Sequence, residues 1–190
     1  DGRTAQARTL VNAAGAWADH IGELAGARAM GLVPARRSAF TFPVPEGLDA
    51  THWPAVISAD ERFYFKPDAG QLLGSPANAD ATYPHDVQPE EEDIATGIWN
   101  IEQATTLSIR RPSHTWAGLR SFVADGEMVI GWDSHVPEFF WVAAQGGYGI
   151  QSAAGYSLLA RNLLLAEPVD EQLLRQGVQT ELLAPARLQK

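Results

Sequence analysis

Trp116-Ala117-Gly118-Leu119-Arg120-Ser121-Phe122-Val123-Ala124-Asp125-Gly126-Glu127-Met128-Val129-Ile130-Gly131 is the stretch that decides how this chain is read. Its first part has the composition of a strand with one arginine among apolar neighbours. Asp125-Gly126 has the chemistry of a hairpin turn, and 128–132 reads as the returning strand. An arginine in such a strand must find an anion or remain a costly unpaired charge. Downstream, Gln145-Gly146-Gly147-Tyr148-Gly149-Ile150 is almost bare backbone and opens a helix expected over roughly 149–165. Free N–H groups and the positive end of a helix dipole suit an electron-rich ligand there. The first stretch is expected to clamp a carboxylate, and the second to cradle a cofactor.

Around these stretches the pattern mixes strands and helices. Residues 7–12 form a short apolar strand. Trp17, Ile21 and Leu24 make 15–25 a helix that Gly26 stops. Residues 31–43 read as a strand entered through Pro34 and a solvated Arg36-Arg37 pair, and 43–47 as a loop. Strands 55–58 and 62–66 follow, then a turn Pro67-Asp68-Ala69-Gly70 with Pro in its second position, a return strand 71–74 and a polar loop 75–88. Helix 89–107 has Pro89 at its first position and Ile94, Ile98 and Ile101 on one face. Its Glu90, Glu91, Glu92 and Asp93 are read as dipole-matched carboxylates rather than a metal site. Strands 113–123, 128–132 and 139–144 precede the helix 149–165, which packs through Leu158, Leu159, Leu163 and Leu164; a tail from Pro168 adds a short helix and a polar end. The expected class is α+β: this order suits an antiparallel sheet with a flanking helix in the middle, with the two ends belonging to a shared nucleotide-binding domain.

A chain of 190 residues with 45% hydrophobic content can bury a real core. Its net charge of −9 argues against nucleic-acid or anionic-membrane partners, which need clustered Lys and Arg. With no cysteine there is no disulfide, thiolate metal site or cysteinyl flavin link in this segment, which is compatible with a cytoplasmic location. No apolar run approaches the roughly 20 residues of a membrane span.

Three stretches together resemble the D-amino-acid-oxidase-like family of FAD-dependent oxidoreductases, which includes glycine oxidase and sarcosine oxidase. Leu10-Val11-Asn12-Ala13-Ala14-Gly15-Ala16-Trp17-Ala18 is similar to the family's strand-to-helix turn beside the flavin. Gly118-Leu119-Arg120 with Asp125-Gly126 and Ile130-Gly131 is similar to its substrate-arginine hairpin, and Gly146-Gly147-Tyr148-Gly149-Ile150 to its final flavin-contacting turn. Their order and spacing run through residues 8 to 165. Because the substrate sheet interrupts the FAD domain in the family, the resemblance implies a substrate-binding antiparallel sheet over 34–125, with 1–33 and 126–190 forming the C-terminal part of a Rossmann-like FAD-binding domain. The resemblance implies FAD, non-covalent as far as this cysteine-free segment shows, with cofactor contacts at Ala14, Gly15, Trp17, Gly146, Gly147, Tyr148, Gly149 and Ile150. The Gly-x-Gly-x-x-Gly turn that binds the FAD pyrophosphate in the family does not occur in this sequence. The chain is therefore read as the C-terminal half of a larger enzyme, inactive alone, whose N-terminal FAD-binding half is its partner.

The reaction the resemblance implies is oxidation of a carbon–nitrogen or carbon–oxygen bond next to a carboxylate, in a small amino acid or 2-hydroxy acid. Hydride passes to the flavin, and the protein supplies positioning and electrostatics, so no side chain is named as catalytic. Arg120 would hold the substrate carboxylate as a bidentate pair; its alternative role is a salt bridge to Asp125 or Glu127. Tyr64 is a second candidate substrate contact through its hydroxyl, against a purely packing role. Lys66 is a weaker candidate, as is His114, which can share a strand face with Arg120. The sarcosine-oxidase branch keeps a lysine over the flavin where this chain has Leu72-Leu73, which favours a dehydrogenase with an acceptor other than oxygen. Two competing readings are a flavin-free module that uses Arg120 to hold an acidic ligand, and a structural domain.

Overall fold

The computed structural model describes residues 2–188. In chain order the elements are β1 (Leu10–Asn12), a 3-10 turn (Gly15–Trp17), α1 (Ala18–Leu24), β2 (Val33–Pro43), β3 (Val56–Ile57), β4 (Tyr64–Asp68), β5 (Gln71–Ser75), β6 (Asp80–Ala81), α2 (Glu91–Ala104), β7 (His114–Phe122), β8 (Val129–Trp132), β9 (Phe139–Ala143), α3 (Ala153–Leu164) and α4 (Glu171–Arg175). Two more 3-10 turns follow at Thr180–Leu182 and Pro185–Arg187. Contacts divide the chain into two compact units, one made of the residues up to Pro34 and from Arg120 on, the other of Ala35–Leu119. The chain crosses between them within β2 and again within β7. The second crossing precedes Arg120, whereas the sequence placed it after Asp125.

The first unit is organised by an uninterrupted apolar strand. β9 reads Phe139-Phe140-Trp141-Val142-Ala143, and a strand apolar at every position needs cover on both faces. Phe139, Trp141 and Ala143 pack with Ala18, Ala27 and Met30, while Phe140 packs with Leu159 of α3 and Leu173 of α4. β1 joins β9 in parallel, Leu10 opposite Phe139 and Asn12 opposite Trp141; β8 joins its other edge antiparallel. α1 comes so close to the sheet that a Cβ on Gly22 would overlap the Trp141 ring. Asp19 ties the following loop down by accepting the N–H groups of Met30 and Leu32, each at 2.8 Å.

The second unit is a sheet in the order β3-β4-β5-β2-β6, with β7 also on β2. The β2–β5, β2–β6, β3–β4 and β4–β5 pairs are antiparallel. Phe40 and Phe42 of β2, Phe65 of β4 and Leu72 of β5 face Ile94 and Ile101 of α2 in one core, so the expected flanking helix is present. Gly74 and Gly97 leave room for the Phe40 ring, which would lie 2.8 Å and 2.9 Å from Cβ atoms placed there.

Several local expectations are corrected. The β4–β5 loop is Ala69 and Gly70, both at positive φ (46° and 79°), as in a type I′ hairpin, with Asp68 opposite Gln71. Pro67 is therefore inside β4, on a stretch that β3, pairing only with Tyr64 and Phe65, does not reach. Pro89 precedes the helix: Glu90, at φ −87° and ψ 143°, is the N-cap of α2. Asp125 and Gly126 do not form a hairpin, because β7 pairs with β2 and β8 with β9; they turn the chain from one sheet to the other. α3 begins at Ala153 rather than near Gly149, with turns over 146–152, since glycines are poor helix residues.

Arg36 is not a solvated cation. It bonds Asp93 through Nε at 3.0 Å, Asp80 through Nη2 at 3.4 Å, and Glu90. Burial alone would lower its pKa, but the bond to Asp93 and the charges of Asp93, Glu90 and Asp80 outweigh it and raise the value. The acidic start of α2 thus grips β2 as well as matching a dipole. Among the described residues, no group of His, Cys, Asp or Glu could hold a metal ion, and no helix is long and apolar enough to cross a membrane.

Candidate functional site

Because β1 and β9 are parallel, their C-terminal ends open on the same edge of the sheet, where ligands sit in open α/β folds. Two of the three stretches singled out in the sequence leave from that edge. Asn12, 2% exposed, builds the first turn: its Nδ2 donates to Ala18 O at 2.8 Å and its Oδ1 accepts Ala14 N–H at 3.2 Å. Gly15, at φ 57°, then swings the chain into the 3-10 turn and leaves Trp17 44% exposed. β9 continues into the second turn, whose Gly146, at φ 54°, donates its N–H to Ser121 O at 3.0 Å.

That last bond brings in the third stretch. Arg120 is half-buried, and its guanidinium rests on the Gly-rich turn: a Cβ on Gly147 would lie 2.7 Å from Nη1 and 3.4 Å from Cζ. A Cβ on Gly146 would likewise lie 3.0 Å from Phe122 Cε1. Arg120 makes no ion pair or hydrogen bond with any of the described residues. Of the alternative partners, Asp125 accepts two bonds from Arg187, at 2.7 Å and 3.2 Å, and Arg187 also takes the backbone carbonyl of Glu127. Sequence reasoning missed Arg187, because its place in the polar tail carries no signal of what it binds.

The Gly-rich turn has the donor set a cofactor ring would need. Tyr148 N–H, Ser152 N–H and Ala153 N–H are bonded within the turn, whereas the amides of Gly147, Gly149, Ile150 and Gln151 donate to no acceptor among the described residues. Ile150 beside them is 96% exposed. A planar ring bearing carbonyl oxygens and ring nitrogens would satisfy such amides and cover the apolar side chain, so these residues fit one edge of a flavin. Tyr148 has a different use for its hydroxyl, which donates to Gly126 O at 2.8 Å. Burial, with the nearby Glu127 and Asp125 charges, raises its pKa.

Tyr64 belongs to the second unit. Its strand turns Phe63 and Phe65 into the core, while Tyr64 and Lys66 lie on the opposite face. Arg37 Cζ stands 6.0 Å from the Tyr64 ring centroid, so the face of the ring meets a cation. Lys66 Nζ is bound to Asp68 at 2.7 Å, and the residue lies directly across from Leu73. Leu72 is fully buried in the core. His114 stacks on Trp116 with 5.7 Å between centroids.

Residues 1–163 match the model of the FAD dependent oxidoreductase family, and the chain belongs to that family. Iminodiacetate oxidase from Chelativorans sp. BNC1 superposes with a TM-score of 0.74 at 21% identity, over 97% of this chain and 47% of that one. L-proline dehydrogenase from P. horikoshii gives 0.73 at 22% identity, over 95% and 47%. Glycine oxidase from Geobacillus kaustophilus gives 0.68 at 20%, over 84% and 42%. The chain spans about half the length of these structures. The fold is that of the C-terminal half of FAD-dependent oxidoreductases, α+β with an antiparallel sheet.

Proposed function

We propose that this chain is the substrate-recognising part of an FAD-dependent oxidoreductase acting on a small amino acid or 2-hydroxy acid, with the pyrophosphate site supplied by an N-terminal half of the same polypeptide. The observation that carries the reading is Arg120: a half-buried guanidinium with no anion among the described residues, lying on a turn in which the amides of Gly147, Gly149, Ile150 and Gln151 donate to no acceptor among those residues. A planar fork of donors held in place by backbone is what bidentate recognition of a carboxylate requires. The first unit would be the FAD side, with Ala14, Gly15, Trp17 and residues 146–150 at the cofactor. The second would be the substrate sheet, with Tyr64 contacting the substrate.

When bound, FAD supplies the hydride-accepting chemistry. The chain's own part is to fix the acid through Arg120 and to present the amides of Gly147, Gly149, Ile150 and Gln151, backed by the positive end of α3, to negative charge developing on the ring. Leu72-Leu73 stands where the sarcosine-oxidase branch keeps a lysine, which favours an acceptor other than oxygen. A cytoplasmic location is part of this reading.

The test uses the intact protein with its flavin under anaerobic conditions. Small 2-amino or 2-hydroxy acids should bleach the flavin absorbance, and matching amines or alcohols without the carboxylate should not. A colourless protein that FAD cannot reconstitute would return the flavin-free module to favour. Equal bleaching with and without the carboxylate would remove the role of Arg120.

A further inference from the structure

Arg187 spends most of its guanidinium on one turn, residues 125–127. Nε donates to Asp125 Oδ2 at 2.7 Å, and Nη2 to Asp125 Oδ1 at 3.2 Å and Glu127 O at 2.9 Å, while Nη1 reaches back to Ala184 O at 3.1 Å. Its side chain is 14% exposed. The segment that carries it is independently seated: Ile130 N–H donates to Leu183 O at 2.9 Å, and Pro185 Cδ would lie 3.0 Å from a Cβ on Gly131. The middle residue of the gripped turn, Gly126, accepts the Tyr148 hydroxyl. Tyr148 in turn follows the glycine on which Arg120 rests.

We propose that Arg187 is a positioning residue for substrate binding. It holds residues 125–127, the Gly126 carbonyl fixes Tyr148, and Tyr148 sets where Gly147 supports the Arg120 guanidinium. Asp125 is 40% exposed, and a pair with so exposed a member adds little stability. Three directed bonds from one planar group to residues 125–127, with a fourth to Ala184 O, nevertheless define the turn's position tightly, and an ammonium could satisfy only part of that set. The inference rests on Arg120 being the carboxylate clamp.

The experiment compares Arg187→Lys, Arg187→Ala, Tyr148→Phe and Arg120→Lys in the intact, flavin-loaded enzyme. It reads kcat and KM for an acid substrate, the Kd of acetate from perturbation of the flavin spectrum, and Tm. A clamp that binds ground and transition states alike acts on KM, so Arg187→Lys should raise KM and the acetate Kd about tenfold with kcat nearly unchanged, and Tyr148→Phe should raise the same KM and Kd. Combining Arg187→Ala with Tyr148→Phe should cost no more than the larger single effect, because both act through Gly126. Should Arg187→Ala fail to fold, Arg187→Lys and Tyr148→Phe still decide the matter. A lower Tm with normal KM and acetate Kd in both would overturn the proposal. If Arg120→Lys raises KM and Arg187→Lys does not, only the role of Arg187 falls; if Arg120→Lys changes nothing, the clamp and this inference fall together.

Discussion

Gly147 supports Arg120: Nη1 lies 2.7 Å from where a Cβ on that glycine would be. Gly147 does not have a left-handed φ, so alanine is conformationally acceptable there, and the group it would displace is the far end of a flexible side chain. Gly147→Ala is expected to leave Tm nearly unchanged, since backbone and fold tolerate it, with a stability change within about 1 kcal/mol. It should nonetheless weaken binding of acid substrates several-fold by pushing the guanidinium off its seat, about as a misplaced binding group does. Unchanged KM in a folded Gly147→Ala enzyme would show that the contact has no bearing on the substrate.

Arg120→Ala should raise KM strongly while the protein stays folded and yellow. Loss of a charge-assisted bidentate pair should cost about 2–5 kcal/mol, or roughly 30-fold or more in kcat/KM. Arg120→Lys should recover little, because an ammonium lacks the fork. Tm and kcat/KM measured on one preparation separate this from a structural role, in which stability falls and kinetics persist.

Gly22 offers the opposite case. A Cβ there would overlap Trp141 Cη2 and lie 2.8 Å from Cζ2, and Trp141 is fully buried. Alanine adds up to about 1 kcal/mol of helix propensity, but overpacking a closed core costs about 1–3 kcal/mol. Gly22→Ala should therefore lower the denaturation midpoint with KM unaltered. A more stable variant would refute the packing of α1 on β9.

The Arg187 bond to Asp125, followed by the Glu127 N–H and the Arg187 charge, holds the Asp125 carboxyl below its ordinary pKa despite partial burial. A depressed carboxylate contributes stability that is present above its unfolded value, about 4, and is lost as pH falls through the lower folded value. Asp125→Asn should thus lower Tm by a constant amount near neutrality, and the gap to the parent should close below about pH 4. An equal gap at pH 3 and pH 7 would show that the contact does not depend on the charge.

What the sequence disclosed was local. The Gly-rich turn, the arginine on its strand and the apolar face of α2 are written in neighbouring residues. What it concealed depends on distant partners. Asp125-Gly126 has the same turn chemistry whether the chain returns along its own sheet or enters another, and only the pairing of β8 with β9 decides. Arg36 looked solvated because its carboxylates lie 44 to 57 positions away, and Arg187 meets Asp125 across 62. Pro67 resembled a turn residue until positive φ at Ala69 and Gly70 moved the loop by one position.

The parallel pairing of Leu10 with Phe139 imposes an order of events on the growing chain. At a synthesis rate of about 5–20 residues per second, β1 leaves the ribosome on the order of ten seconds before the strand it must join. Leu10 and Val11, about half exposed even in the finished sheet, lack their β9 partners through that interval. Ala35–Leu119 emerges as one continuous segment with close-range pairs such as Asp68 with Gln71, and can close while β1 waits. The sheet that carries the proposed binding turns is therefore completed only after Ala35–Leu119 has been made. A chaperone or a cofactor that recognises those turns has no target until β9 has been made.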